Sequence, residues 1–575
     1  MMLLNSQQQE VLIKMDKFIS SRNEKIFLLE GFAGTGKTTV ITQLFGSRKY
    51  FKLDIVFSAT TNKAVSVLQE MFKNDYEHIE FKTIHKLCKI KRKITNDGEL
   101  TFNLNESPET FKKNKKTIFN YDIVIIDECS MISNKILSLI MGYSNRIKGK
   151  IIFVGDRYQL PPVNEKISQV FEIPVTKYSL TKIVRCKDSV VEFSSRIRNS
   201  IDKKGNISTK GCKSDTFATF KNSRSWLDRY VNGFNPGASN VLLAYTNNRC
   251  NEINHYIREK IYGEQAKEEY VKNEIIIFNN YYKPLECSYD MISDDGEQIF
   301  IINENSIEAA EDVKTNSGAF YTSHKGVIKN IQKIKFRVPS FPLESLFNIN
   351  KKVDLSFKKI DNTKYDKEKD CPICFEKIKD RDSIETSCGH IFCEKCIKIW
   401  VEQNDQCPYC RMKLAEEQIV IKDDPTLGTM INDFKKMTNK LDFNVWSLEI
   451  NSPLMAGNIL TPCKGERQRY ESKLKDIKTS IHNIKAYICK DMKSKTYTKN
   501  IFMINRLWEY FYFNYIDLFA DISYGYCLTV HKSQGSTFED VYVDSRNILG
   551  FQNDDSLNCL YTAITRASKN INLLV

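Results

Sequence analysis

The segment that most narrows what this chain can become is GFAGTGKT, Gly31 to Thr38. It follows KIFLLE, an apolar run of strand length at 25–30, and leads into TVITQLF, a helical pattern that stops at Gly46. A G-x-x-x-x-G-K-T loop between a strand and a helix is suited to cradling phosphate, because Gly31, Gly34 and Gly36 leave backbone amides open to phosphate oxygens. Lys37 would add a point charge for the β and γ phosphates of ATP, and Thr38 a hydroxyl for Mg2+. Thr39 falls in the first helical turn, whose N-terminus carries partial positive charge. A Gly-rich turn without a ligand is the plain alternative, and the flanking strand and helix weigh against it. Downstream, YDIVIIDE at 121–128 reads as a buried parallel strand whose C-terminal end carries two acids. Asp127 is placed to hold Mg2+, and Glu128 to orient or deprotonate the attacking water. An ordinary strand followed by an acidic helix cap would look the same in isolation.

At 575 residues the chain predicts about four domains at roughly 150 residues each, and therefore several cores. Lys and Arg number 85 against 71 Asp and Glu, a surplus of 14, which favours a polyanionic partner and does not exclude simple solvated lysines. No run approaches a membrane span, and MMLLNSQQQE lacks the pattern of a signal peptide. The expected setting is intracellular, cytoplasm or nucleus. Abundant Lys, Asn, Ile, Tyr and Phe beside only 23 Gly and 13 Pro suggest an AT-rich genome, such as that of a large DNA virus acting in its host cell.

Further strings follow in order: SATTNKAV at 58–65, TIH at 83–85, KIIFVGDRYQLPPV at 150–163, YGYCLTVHKSQGSTF at 524–538 and LYTAITRA at 560–567. Together with the phosphate loop they resemble the motif set of superfamily 1 helicases, specifically the RecD-like 1B group. The resemblance spans roughly residues 1–290 and 515–575. It implies an α/β fold with two RecA-like parallel-sheet P-loop domains, ATP in the cleft between them, and an SH3-like accessory insertion. It further implies Gln159 as a γ-phosphate sensor, Arg566 as an arginine finger, and Arg185 as the arginine of a middle motif. Gln8 falls where the family reads adenine, with Gln7 and Gln9 leaving the register open. Strand contacts implied by motif position are Thr61, Asn62, Thr83, His85, Thr246, Asn247, His531, Lys532 and Gln534, with 5′-to-3′ translocation. Where the family has Ala-Pro-Thr, this chain has Ala59, Thr60 and Thr61, which keeps the hydroxyl and loosens the turn. The basic stretch 86–118, with Lys89, Lys91, Arg92 and Lys93, is either a duplex-splitting hairpin of the kind the family carries there or a solvated loop.

Seven of the 17 cysteines lie within Cys371–Cys410, as C-x2-C-x13-C-x-H-x2-C-x2-C-x10-C-x2-C. Paired thiols two residues apart suit one Zn2+ per knuckle, and seven cysteines with one histidine give eight ligands, enough for two closed zinc sites. The spacing resembles a C3HC4 RING finger. Its interleaved pattern implies Cys371, Cys374, Cys393 and Cys396 on one zinc, and Cys388, His390, Cys407 and Cys410 on the other. Ile373, Trp400 and Pro408 match the groove by which ligase RING fingers hold a ubiquitin-conjugating enzyme, and Arg411 the cation that orients the ubiquitin thioester. A structural or partner-docking finger remains the other reading, since two zincs also fold a segment too small for a core.

The expected layout is a first core at 1–185, a second core at 186–290 and 511–575, an accessory insertion at 291–365 and 416–510, and the RING at 366–415. Residues 347–370 read as a linker, 463–493 as a basic helix with a solvated face, and the aromatic run 502–519 as packed core more than a base-stacking surface. The expected activity is ATP-dependent unwinding or translocation on single-stranded nucleic acid and duplex junctions, with DNA favoured and the finger a possible ubiquitin ligase. The rival is a ligase scaffold whose helicase core only binds nucleic acid. An intact Lys37, Glu128, Gln159 and Arg566 set argues against a dead motor.

Overall fold

The apolar runs found in the sequence become two parallel sheets. The computed structural model describes residues 4–72, 78–88, 90–104, 117–142, 147–184, 188–203, 205, 207, 214–237, 239–285, 287–292, 298–302, 319–343, 358–359, parts of 371–408, 425–452, 455–491, 497–551 and 555–575. The first sheet runs Ile79–Thr83, Ile55–Ala59, Ile123–Asp127, Lys150–Gly155, Ile26–Gly31, Thr176–Leu180, all parallel. Successive side chains point to opposite faces. Phe27, Leu29, Ile125 and Val154 therefore join one buried cluster, and Leu28, Val124, Ile126 and Phe153 the other. A sheet covered on both faces needs continuous apolar strands, which is why the sequence shows runs and not alternation.

The second sheet orders Cys527–Thr529, Asn240–Ala244, Phe538–Asp544, Ala567–Leu574 and Phe217–Phe220, again all parallel. It is sandwiched in the same way, with Leu243, Val541 and Ile571 in one cluster and Leu242, Tyr542 and Leu574 in the other. Strands from both ends of the chain thus share one sheet, and everything between them is an insertion.

That insertion is built on a mostly antiparallel seven-stranded sheet. Its longest strand, Lys325–Arg337, pairs with Asp442–Asn451, which pairs in turn with Ala456–Pro462. Ile275–Phe278 and Ile522–Tyr524 also belong to it. The expected boundaries at 290 and 511 therefore shift: these short strands pair edge to edge with the accessory sheet and with neither core sheet. Helices Pro425–Thr438, Lys464–Ile488 and Tyr497–Phe511 pack in the accessory core. The basic helix buries Tyr470, Ile477, Ile481 and Ile484 on one face. The aromatic run buries Met503, Leu507, Trp508, Phe511 and Tyr515 and leaves Phe502 and Phe513 exposed. Within the stretch read as a linker, Lys358–Lys359 pairs with Ser383–Glu385, which pairs with Ile391–Cys393, so part of the linker joins the finger's sheet.

The basic insert forms an antiparallel hairpin, Ile90–Ile94 with Leu100–Leu104. Lys89 lies outside the described residues. The hairpin tip is held from the accessory domain: Trp508 Nε1 donates to the Asn96 carbonyl at 3.2 Å, Tyr512 Oη to the Gly98 carbonyl at 2.7 Å, and Lys485 pairs with Asp97. Gly98 has φ +69°, and a Cβ there would lie 2.6 Å from the Trp508 ring. Glycine is required twice over, for the left-handed turn and for the close approach. Removing the fully buried Trp508 ring, as in Trp508→Ala, should cost the accessory core about 3–5 kcal/mol. It should also speed amide exchange across residues 90–104, and unchanged exchange there would show that the ring does not hold the hairpin.

Candidate functional site

The C-terminal ends of the first sheet's strands gather the residues expected to handle phosphate. Gly34 and Gly36 both have φ +79°, the conformation for which glycine is favoured. A Cβ at Gly36 would meet Gln8 Nε2 at 2.6 Å. Of the three neighbouring glutamines it is Gln8 that lies on the loop: its Nε2 donates to the Thr35 carbonyl at 3.0 Å, and its Oε1 accepts from Asn5 N–H at 3.0 Å. Gln7 instead bonds Thr181 and Lys182, and Gln9 the Leu4 carbonyl. Lys37 begins the helix Lys37–Phe45 and donates to the Gly31 and Phe32 carbonyls at 2.6 and 3.2 Å. Thr39 stands in the same first turn, where its carbonyl accepts from Thr42 Oγ1 at 2.9 Å.

Asp127 ends its strand beside Lys37 and accepts from the Thr38 hydroxyl. Burial raises its carboxyl above the usual range, and neighbouring Glu128 adds to the rise. Glu128 has φ 52°, a left-handed backbone uncommon for a non-glycine residue and typical of functional sites. The buried hydroxyl-and-carboxylate pair at Thr38 and Asp127 is the hard oxygen set that suits Mg2+.

The second core closes on this edge. With its carboxamide turned to satisfy both neighbours, Gln159 donates to Glu128 Oε2 at 3.2 Å and accepts from Arg566 Nη2 at 3.1 Å. Arg566 is 5% exposed and is steadied by its own bonds to the Thr562 and Ser536 carbonyls. The expected arginine finger thus sits one amide from the expected general base. Asp156 makes a second link: its Oδ2 accepts from Ala33 N–H of the phosphate loop at 2.7 Å and from Tyr561 Oη of the second core at 2.8 Å. Burial, then the Asp156 charge, holds the Tyr561 phenol well above its usual range, so it remains a donor. Arg198 stacks on Phe32 of the loop, with its guanidinium carbon 3.8 Å from the ring centroid. Neither Tyr561 nor Arg198 was legible as a site residue. Tyr561 lies inside a recognised string without carrying its role, and Arg198 looks like one charge among many on a helix. Arg185 lies outside the described residues.

A cleft of ≈ 320 Å³ brings most of the expected strand contacts together: Thr61, Asn62, Thr83 and His85 from the first core, and His531, Lys532 and Gln534 from the second. It also takes in Thr60, Lys63, Thr322 and Ser323, which the motifs did not indicate. The threonines have a local task as well. Thr61 Oγ1 accepts from Ala64 N–H at 3.2 Å and Thr83 Oγ1 from Lys86 N–H at 3.4 Å, so each caps a helix that starts at the cleft. Burial pushes the imidazoles of His85 and His531 below their ordinary value, leaving them neutral at pH 7. Gln534 is 5% exposed and donates to the Leu160 carbonyl at 3.4 Å, so its amide joins the two cores. Thr246 and Asn247 are not among the residues lining the cleft; Thr246 caps the helix Asn247–Tyr262 through Arg249 N–H at 3.2 Å.

In the finger, the sulfurs of Cys371, Cys393 and Cys396 lie within 4.8 Å of one another. Cys393 N–H donates to Cys371 Sγ at 3.4 Å. Three converging thiols fit the expected first zinc set. The described members of the second set are His390, whose carbonyl accepts from Thr386 Oγ1 at 3.0 Å, and buried Cys407. Cys371, Ile384, Phe392, Ile397 and Cys407 form the finger's small core, with Ile373 and Trp400 packed at its margin. Pro408 follows Cys407 in a turn. Cys374, Cys388, Cys410 and Arg411 lie outside the described residues.

Comparison with known proteins agrees with this division. The AAA domain family matches residues 16–165, the UvrD-like helicase C-terminal domain 524–574, and the Ring finger domain 369–411. "Uncharacterized protein R530" of Acanthamoeba polyphaga mimivirus is 26% identical over 610 residues, covering 100% of both chains. The RecBCD enzyme subunit RecD of Buchnera aphidicola (Schizaphis graminum) is 33% identical over 178 residues, 28% of this chain and 27% of that one. The ATP-dependent DNA helicase dda of Enterobacteria phage T4 is 23% identical over 319 residues, 52% of this chain and 65% of its own length. The chain is a superfamily 1B helicase that carries a RING finger.

Tyr561→Phe tests the second link between the cores. It leaves Asp156 one charge-assisted donor short, a loss of about 1.5–3 kcal/mol. ATP turnover is expected to fall by about tenfold or more with the fold unchanged by circular dichroism; wild-type turnover would show that the phenol does not align the phosphate loop.

Proposed function

We propose that this chain hydrolyses ATP between its two parallel-sheet cores and uses the cycle to move along single-stranded DNA from 5′ to 3′, opening duplex junctions. The observation that carries the reading is the chain Glu128, Gln159, Arg566, in which one neutral amide spans a base from the first core and a cation from the second. A guanidinium that reaches the transferring phosphoryl only across a closed cleft makes hydrolysis depend on closure, and loss of product favours reopening. Lys37 holds the β and γ phosphates, Glu128 orients or deprotonates the attacking water, and Arg566 meets the charge that develops on the phosphoryl group. Gln8 borders the loop where the adenine would lie. Thr38 and Asp127 would hold magnesium, which when bound neutralises charge on the β and γ oxygens.

The cleft lined from both cores then grips a strand alternately, chiefly through its phosphates, with no need for base-specific contacts. DNA is favoured because the phage relative is named a DNA helicase. The hairpin 90–104, pinned by Trp508, is positioned to part a duplex ahead of the cleft. No described helix is long and apolar enough to cross a membrane, and the mimivirus relative supports a viral chain at work inside an infected cell.

The RING finger would bind two zinc ions and present Ile373, Trp400, Pro408 and Arg411 to a ubiquitin-conjugating enzyme. Because zinc occupies its thiolates, the finger would position another enzyme's thioester and carry no ubiquitin itself.

Two experiments test these readings. ATP turnover should rise at least tenfold on adding single-stranded DNA, and Lys37→Ala should lower it by about 10²–10³, the scale of losing one electrostatic stabiliser. A strand that leaves turnover unchanged would refute the helicase mechanism, and unwinding only of substrates with a 3′ tail would reverse the polarity. For the finger, a strong chelator should release zinc and abolish discharge of a loaded conjugating enzyme while strand-stimulated ATP turnover persists. Discharge by Ile373→Ala equal to that of the wild type would remove the groove from the proposal.

A further inference from the structure

The cleft has a third wall that no helicase motif accounts for. Thr322 and Ser323, at the start of the accessory sheet's longest strand, line it together with residues of both cores. Immediately before them Tyr321 places its ring 5.6 Å from that of Tyr281, at 52°. Tyr281 is 54% exposed, whereas adjacent Tyr282 is 3% exposed. The pair is therefore not core: one ring faces solvent at the edge of a groove whose other walls come from the two motor domains. Asn279, two residues before Tyr281, accepts from Lys532 of the second core at 2.6 Å, which fixes this edge against the groove.

Charge at the same edge is one-sided. Lys325 and Lys63 stand over the single ring of Phe538, at 5.4 and 5.9 Å, so cations from the accessory sheet and the first core converge on a residue of the second. His324 lies between them in sequence and space, 6% exposed, with Nε2 buried and lacking a hydrogen-bond partner. Burial lowers all three, Lys63 and Lys325 to about 8, with Lys63 acting on His324 and Lys325, and Arg566 on Lys63. An anion brought there would meet donors already desolvated, where attraction is stronger than in water. Ser323, at φ 67°, turns the backbone over Phe278 and donates its N–H to the Phe278 carbonyl at 2.8 Å.

We propose that this edge of the accessory sheet extends the strand path: the Tyr281–Tyr321 pair stacks one base of single-stranded nucleic acid, and the turn Thr322–Lys325 receives the phosphate beside it. The proposal rests on reading the cleft as the strand site and adds to it the domain that bears the finger. Every base has a π face, so such a platform grips without reading sequence.

The test is fluorescence anisotropy of the full chain with labelled oligothymidylate and with an abasic strand of equal length. Tyr281→Ala with Tyr321→Ala should weaken oligothymidylate binding by about tenfold, the scale of one stacked base. The double Phe variant should bind within about twofold of wild type, and the abasic strand should be bound alike by all three. Should the double Ala variant not fold, Tyr281→Ala, at the exposed position, is read by the same criteria with about a fivefold loss expected. Wild-type affinity in the Ala variant, or equal losses in the Ala and Phe variants, would overturn the stacking platform. Lys325→Gln should lower the slope of log affinity against log salt by about one, and an unchanged slope would overturn the phosphate seat. A wild-type chain that binds no strand would instead dispose of the cleft reading itself.

Discussion

A carboxamide held between a carboxylate and a guanidinium is the contact on which the arrangement depends. Gln159 is neutral, so it can lie between Glu128 and Arg566 without strengthening or cancelling either charge. Its backbone belongs to the loop after the strand Lys150–Gly155, and the next residue, Leu160, is buried in the second core's cluster. Leu160 N–H donates to Thr562 Oγ1 at 2.9 Å, on the helix that ends just before Arg566. The segment that carries the amide is thus anchored in one domain and packed into the other. Any motion that separates the sheets must act on that segment first, which puts the sensor of phosphate chemistry at the mechanical joint.

The two cores are also tied by a buried acid. Asp156, 1% exposed, is bonded to the phosphate loop and to Tyr561, and Tyr158 N–H completes the set at 3.1 Å. A charge this deep is tolerated only when its oxygens are satisfied. The partners come from both domains, so the closed geometry is the one in which the acid is best satisfied. Opening must replace those bonds with water or leave them unmade.

Much of this was legible in the sequence because the chemistry leaves so few choices. Only glycine tolerates the φ of Gly34 and Gly36 so readily, only a long cation reaches phosphate from position 37, and parallel strands must be apolar throughout. The finger was legible for a similar reason, since thiols at fixed spacing are hard to explain without metal. What escaped was whatever depends on tertiary placement. Tyr561, Arg198, Thr322 and Tyr281 are ordinary residues in ordinary segments, and only packing brings them to the site. Boundaries misled for a related reason: Ile275–Phe278 and Ile522–Tyr524 have the composition of core strands, and their assignment to the accessory sheet is decided by edge pairing, which periodicity does not encode. Gln534 was placed in the right cleft, yet its amide is spent on the Leu160 carbonyl.

One feature of the accessory sheet bears on how a chain acquires such an appendage. Arg337 and Asp442 face each other at the ends of the paired strands Lys325–Arg337 and Asp442–Asn451, joined by two bonds of 2.7 and 2.8 Å. The finger lies wholly in the sequence between them. Its entry and exit are therefore side by side on a clamped pair of strands, and the host sheet registers the guest only as a closed loop, whose entropic cost grows slowly with length. A fold with such a socket can gain, lose or exchange modules there while its motor stays intact, so the joining of strand chemistry to protein tagging in one polypeptide needs no redesign of either part.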